Sequence, residues 1–426
     1  MYRPIRALCL FLGWTRCRFA GLNRGASRIR FAYLEKKWIS TMISHGIDIT
    51  GIGALSGYGW GASALWDGLF TGKAAATLHH DQTRPGHNPV WLAKVPDGGD
   101  ENDGSSRFGR ALRGAAREAV EDALARGWQP GRRVGLIHAV VLGEVDEWRN
   151  FYLRDRGERR VRDYLTLMPS TPVSLLMQEY GFHGPAMNVS AMCASGNAGL
   201  LTAKMWLDTA FVDDVVFVAT DLSLTPENID HFVKLGVGVV DVEPQEGCRP
   251  FQEGSRGFGM GEAATAFVLS TRSSASYARV LGGSMTHDAF HATSIDPALT
   301  QVRACFEQAL VDADVTAQQV RYLNAHGPGT AQCDAAEATM LETVLDSHAQ
   351  VYSVKPLTGH CQGAASAIET ISAVMGFERG LVPAAPQVSD AHPLLLDGFT
   401  AAEPGLTVKS SLGMGGHNSV VVLAPA

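Results

Sequence analysis

From Gly46 onward, apolar and polar positions fall into alternating blocks. Residues 47–55 and 134–142 are nearly continuous apolar runs, the pattern of strands buried on both faces. Between them, Ala62–Phe70 and residues 107–126 carry apolar side chains at helical spacing. Later, 187–192, 320–323 and 351–354 read as strands and 200–210 as a helix. Strands alternating with helices predict a layered α/β fold.

Two passages echo one another. Gly259-Met260-Gly261 before a run ending Phe267-Val268-Leu269 recurs as Gly413-Met414-Gly415 before Val421-Val422-Leu423. The 187–192 strand delivers Cys193 to a helix start with Gly196 three residues on, and the 351–354 strand leads to His360 with Gly363 three residues on. Echoes in the same order imply two similar halves, 42–272 and 273–426.

Residues 1–41 stand apart, with nine basic residues and one acidic, so the rest of the chain carries a formal charge of −15 against −7 for the whole. Such an Arg-rich, acid-poor segment reads as an organelle transit peptide or as sequence upstream of a true start at Met42. The second reading is the expectation, and the leader is set aside from the fold under both. The acidic remainder offers nothing to nucleic acid, and no apolar run approaches the ~20 residues of a membrane span. The seven cysteines are scattered without CxxC pairs, which fits a reducing, cytoplasmic setting.

Four residues carry the chemistry. Cys193 follows an apolar strand and precedes Ala194-Ser195-Gly196 and a helix, so the positive end of the helix is expected to favour its thiolate. His326 stands in a Gly-rich turn, with Asp334 and Glu337 spaced to share a face of the helix that follows. Lys355, one of eight lysines, ends an apolar strand five residues before His360. A buried ammonium needs a partner, and Glu337 is the expected one. Cys333 and Cys361 lie near both histidines, yet no pair has zinc-finger spacing, so no metal is expected. No Gly-x-Gly-x-x-Gly follows the first strand, and no Walker-type lysine appears.

Taken together, these segments resemble the elongating β-ketoacyl-acyl-carrier-protein synthases of the thiolase-fold superfamily. The resemblance runs from Ile47 to Leu423. It is carried by Pro169-Ser170-Thr171-Pro172 through Gly184-Pro185 to Cys193, by Cys248-Arg249-Pro250-Phe251 with Gly257-Phe258 and Gly261-Glu262, and by Asp288-Ala289-Phe290-His291-Ala292-Thr293. Asn324-Ala325-His326-Gly327, Lys355 with Gly359-His360, and Gly413-Met414-Gly415-Gly416-His417-Asn418 complete it.

The resemblance implies two pseudo-symmetric halves in a five-layered αβαβα sandwich, normally a homodimer. Cys193 would accept an acyl chain from an acyl carrier protein, and His326 and His360 would stabilise the enolate of a decarboxylating malonyl thioester. Lys355 would tune the site with Glu337 as its support. The amides of Cys193 and Met414 would form an oxyanion hole, and Thr293 and Thr330 would touch the pantetheine arm. No cofactor is implied beyond the carrier's phosphopantetheine. Three positions depart from the family: Met192 replaces a small residue, Pro328 a hydroxyl-bearing one, and Met414 a gating phenylalanine.

Arg149, Arg154, Arg156, Arg159, Arg160 and Arg162 are interleaved with six acidic residues. A salt-bridged surface or dimer contact is expected there ahead of carrier docking. The competing readings are a coenzyme A-dependent thiolase-type acyltransferase, a non-catalytic partner subunit and a Cys–His hydrolase. The second histidine and the lysine disfavour the first and last, and the presence of Cys193 disfavours the second.

Overall fold

The computed structural model describes residues 46–80, 88–104, 106–154, 161–272 and 275–426. The 1–41 leader and Arg156, Arg159 and Arg160 lie outside them. The principal strands are β1 (Ile47–Ser56), β2 (Val134–Ala139), β3 (Ala186–Val189), β4 (Asp214–Asp221), β5 (Ala263–Ser270), β6 (Ala278–His287), β7 (Val320–Asn324), β8 (Gln350–Tyr352), β9 (Leu406–Gly413) and β10 (His417–Pro425). The helices that matter here are α1 (Ala62–Phe70), α2 (Arg107–Ala125), α3 (Thr171–Tyr180), α4 (Ser195–Asp208), α5 (Pro226–Lys234), α6 (Thr300–Asp312), α7 (Ala331–Thr343) and α8 (Ala365–Arg379).

The strand order is β8-β7-β9-β10-β6-β1-β5-β4-β2-β3. Read outward from the middle, each half repeats one arrangement. β1 and β5 pair antiparallel, as do β5 and β4, whereas β4, β2 and β3 run parallel. In the second half β6, β10, β9, β7 and β8 reproduce those senses one for one. The stretches meet where Ile47, Asp48 and Ile49 pair with Val280, Arg279 and Ala278. The repeat of order and sense is the pseudo-symmetry.

The layers follow from period-two alternation along strands buried on both faces. On β4, Val215, Phe217 and Ala219 join a central core with α4 and α8, and Val216 and Val218 join a separate core against α2. On β10, Val421 and Leu423 face the same central core, and Val420 and Val422 face a third core built on α6 and α7. The order is therefore outer helices, sheet, the α4/α8 layer, sheet, outer helices: a five-layered αβαβα sandwich.

Helix α2 starts where Ser106 Oγ accepts from the amide of Gly109 at 2.9 Å, and its buried stripe is largely alanine. The expected strands prove shorter than their apolar runs. β2 stops at Ala139 because Val140 makes one last bond to Val189 O at 3.0 Å before the chain turns at Gly143. β3 stops at Val189, ahead of a turn in which Met192 takes φ +50°. β8 stops at Tyr352, and Lys355 opens a one-turn helix, Lys355–Thr358, so His360 precedes α8 by a 3-10 turn and does not cap it. The Gly-Met-Gly echo is only partial. Met260 sits in a strand of a separate four-stranded sheet, and Met414 lies in the turn between β9 and β10.

The two inner helices meet almost backbone to backbone where the site lies. A Cβ at Gly196 would stand 2.5 Å from Ser366 Oγ and 2.6 Å from the amide nitrogen of Ala367. Neither atom is on a long side chain that can swing away. Gly196→Ala is therefore expected to lower unfolding stability by about 1–3 kcal/mol, read as a shift in urea midpoint. An unchanged midpoint would show that α4 and α8 part without cost.

Candidate active site

Cys193 is held in a sharp elbow. Met192, in the left-handed region without being glycine, turns the chain so that the thiol projects from the start of α4. Ser195 Oγ pins the turn, accepting from Ala191 N at 2.8 Å and donating to Met192 O at 2.6 Å. Ser411 Oγ on β9 donates to Cys193 O at 2.9 Å, tying the elbow to the other half.

Both histidines reach this sulfur from the second half. His360 Nε2 lies 3.2 Å from Cys193 Sγ, and the rings of His326 and His360 stand edge to face with centroids 5.3 Å apart. The sulfur and one nitrogen from each histidine all fall within 4.8 Å of one another. Phe258 packs edge-on against His360 at 4.8 Å. Burial, then the charge of Lys355, keeps both imidazoles well below the ordinary histidine range, so they are neutral at physiological pH.

Their tautomers follow from their neighbours. The backbone N–H of Gln362 faces His360 Nδ1 at 3.2 Å, and Lys355 Nζ faces His326 Nδ1 at 3.3 Å. A donor opposite Nδ1 makes that nitrogen the acceptor and leaves the proton on Nε2. Two Nε2–H groups thus converge on the space beside the thiol. Such nitrogens are poor metal ligands, because ligation would move each proton onto an Nδ1 already facing a donor. The trio suits a developing oxyanion better than a cation.

Lys355 is fully buried, and its partner is Glu369 on α8, not Glu337. Its ammonium also donates to His326 O. Glu369 serves a second buried ammonium, Lys409 on β9, at 2.7 Å. Lys409 Nζ donates to the carbonyls of Asn324 and Ala325 at 3.2 Å each and to Ser410 O. Burial and then Lys355 act to lower the pKa of Lys409, against the pull of Glu369. Glu337 does different work. Its carboxylate accepts from the amides of His326 and Gly327 at 2.7 Å each and from Ser410 Oγ, fixing the turn that presents His326. Asp334 accepts from Gly329 N in the same loop at 3.2 Å and from Phe251 N of a separate segment at 3.1 Å, tying the two together.

The thiol faces a cavity of about 450 Å³ that also touches His326, His360, Thr293, Thr330, Pro328 and Met414. Thr293 is exposed on its wall, and Thr330 stands at the N-cap position of α7 without a side-chain capping bond. Met414 packs at the edge of a small apolar core with Phe232 and Phe258. Lys355 and Glu337 stand one contact behind this cavity, through His326.

A profile described as the β-ketoacyl synthase N-terminal domain matches residues 44–275, and one described as the β-ketoacyl synthase C-terminal domain matches residues 277–389. The 3-oxoacyl-[acyl-carrier-protein] synthase 2 of Staphylococcus aureus (strain COL) is 30% identical over 404 residues, covering 88% of this chain and 97% of that protein. The chain belongs to the β-ketoacyl synthase family. The chloroplastic 3-oxoacyl-[acyl-carrier-protein] synthase I of Hordeum vulgare is 30% identical over 313 residues, 69% of this chain and 67% of its own. Among solved structures, a ketosynthase in complex with its chain length factor from Xenorhabdus doucetiae shares the fold with a TM-score of 0.78 at 23% identity, covering 89% of this chain and 98% of that one. A type II polyketide ketosynthase in complex with its acyl carrier protein matches with a TM-score of 0.78 at 22% identity, over 89% and 99%.

For a β-ketoacyl synthase of this sequence, the structure alters one expectation about the nucleophile. The helix start does not make Cys193 a resting thiolate. Burial pushes the thiol up to about 11, against the opposing pull of the Met414 and Cys193 amides and of Lys355. Both amides nonetheless lie close enough to the sulfur to act on it. Glu369 and Lys409 were not anticipated as site residues. The signal was available: each is a lone charge inside a run of small and apolar residues. Of the arginine stretch, Arg149 pairs with Glu227 on α5 at 3.0 Å, outside its own segment.

Alkylation of the Cys193 peptide by iodoacetamide, followed by mass spectrometry, should quicken about tenfold per pH unit between about pH 7 and pH 10, since only the thiolate reacts. A plateau below about pH 8 would mean that the amides outweigh burial. Glu369→Gln should be far more damaging to the fold than Glu337→Gln. It strands two buried ammoniums, and a loss of about 3–5 kcal/mol is expected in chemical unfolding.

Proposed function

We propose that the chain catalyses decarboxylative condensation of an acyl thioester, carried on Cys193, with a malonyl thioester delivered on an acyl carrier protein. The observation that carries this reading is the pair of neutral Nε2–H donors converging beside one thiol. A hydrolase needs a base beside its nucleophile. Here both imidazoles present a proton.

In the first step Cys193 Sγ attacks the incoming thioester carbonyl, the carbon–sulfur bond to pantetheine breaks, and the thiol proton leaves with the departing pantetheine thiol. One thioester replaces another, so little driving force is needed. The amides of Cys193 and Met414 hold the tetrahedral oxyanion. In the second step the malonyl carboxylate leaves as carbon dioxide and its bonding pair becomes an enolate, whose oxygen receives the Nε2–H groups of His326 and His360. The enolate carbon then attacks the acyl carbonyl, the carbon–sulfur bond to Cys193 breaks, and the released thiolate takes up one proton from solvent. The Lys355 ammonium, 3.3 Å from His326 Nδ1, holds that imidazole with its proton directed at the enolate. No cofactor is proposed beyond the carrier's phosphopantetheine, whose proposed path runs past Thr293 and Thr330 in the cavity lining.

The proposed assembly is a homodimer. β3 ends the described sheet, and Met187 on that strand and Trp148, Leu153, Tyr164, Leu165 and Leu175 in the segments leading to it expose apolar side chains. Open edges and clustered apolar surface are normally covered. Among the described residues no helix is long and apolar enough to cross a membrane. A cytoplasmic location is proposed on the scattered cysteines.

The test separates the two half-reactions. His326→Ala and His360→Ala should each still acylate Cys193, scored by intact mass, yet release carbon dioxide from malonyl carrier at least about a hundredfold more slowly. A variant that loses acylation and keeps decarboxylation would contradict the donor assignment and point to a base acting on the thiol.

A further inference from the structure

The mechanism assigns four donors in the cavity: two backbone amides and two imidazole N–H groups. A fifth remains. Gln362 follows His360 by two residues and lines the same cavity as Cys193. Its side chain is enclosed, with the residue 5% exposed, and its amide nitrogen Nε2 is buried without a hydrogen-bond partner among the described residues. The nearby carboxylate of Asp221 is already engaged, accepting from Gly363 N at 3.1 Å and from Ser223 Oγ at 2.5 Å. The backbone of Gln362 is fixed, with φ +44° and its N–H directed at His360 Nδ1. The side chain therefore leaves from a point set by the catalytic histidine.

A buried N–H without an acceptor is destabilising, and an acceptor brought by a ligand would recover that loss. The thioester carbonyl is taken by the oxyanion hole, so the acceptor must lie further along the chain. Building on the condensing reading above, we propose that Gln362 is a specificity-determining residue: its amide donates to an oxygen on the acyl chain carried by Cys193. The enzyme then prefers chains oxygenated near the thioester over alkyl chains of the same shape. A site with a committed donor discriminates more sharply against the analogue lacking the acceptor than an apolar wall discriminates between two chains of equal size.

The test compares 3-hydroxybutyryl- and 3-methylbutyryl-pantetheine, which differ by a hydroxyl in place of a methyl. Acylation of Cys193 is followed by intact mass under competition, in the unaltered protein and in Gln362→Met, a near-isosteric change that removes the amide. The unaltered protein should favour the hydroxylated chain by about tenfold, and the variant should bring the ratio to unity or invert it. Gln362→Asn, which suits the left-handed backbone and withdraws the amide by one carbon, gives the same comparison should the methionine variant misfold. A ratio near unity in the unaltered protein, or one that neither variant moves, overturns the proposal while leaving the condensing function intact. An unmoved ratio with slower malonyl-pantetheine decarboxylation would assign the amide to the extender carboxylate and overturn it equally. Failure of either chain to acylate Cys193 would instead overturn the condensing reading and this inference with it.

Discussion

One carboxylate shared by two buried ammoniums organises this protein. Glu369 sits on the inner helix α8, Lys355 on the one-turn helix before it and Lys409 on β9. None of the three can lose its partners without leaving charge in a medium that solvates it poorly. The ammoniums then spend their remaining donors on backbone: Lys355 on His326 O, Lys409 on the carbonyls of Asn324 and Ala325. The loop that carries His326 is thereby clamped from below by cations and from the side by Glu337. The rigidity of the site is an electrostatic consequence of burial.

The same burial settles the competition at the nucleophile. A helix start and two amides act to ionise Cys193, and desolvation acts against them and prevails. A resting thiol is suited to thioester exchange, because the proton it carries is the one that the leaving pantetheine sulfur needs. The neutral histidines obey the same logic. Charged, they would be costly in this interior; neutral, with Nδ1 engaged, they are fixed as donors.

Much of this was legible in the chain. Cys193, His326 and His360 announce themselves because close approach of substrate demands small neighbours, and Gly196, Gly327 and Gly359 supply them. Long periodic elements such as α2 and α1 were placed within a residue or two. What failed has a common cause. Glu337 was assigned to Lys355 because it lies near His326 in sequence, but partner choice between buried charges is decided by which elements face each other across the inner layer. β2, β3 and β8 ended early because hydrogen-bonded neighbours, not hydropathy, end a ladder. The protonation of Cys193 was misjudged because local field and global desolvation oppose each other, and sequence reveals only the first.

The pseudo-twofold arrangement has a consequence for how the chain comes to exist. Cys193 and His360 occupy related places in the two halves, so neither half holds a working centre. β1 must wait for β5 and β6 for β10, pairings separated by well over a hundred residues, and such distant closures make for slow folding. Lys409, Ser411 and the Met414 amide all lie on a segment that leaves the ribosome after the rest of the site. Until it arrives, Glu369 has one ammonium instead of two and the thiol elbow lacks its tether. The centre is complete only when the final two strands have closed over the inner helices, so a chain cut short there carries every acid, base and nucleophile but one cation, and has no site.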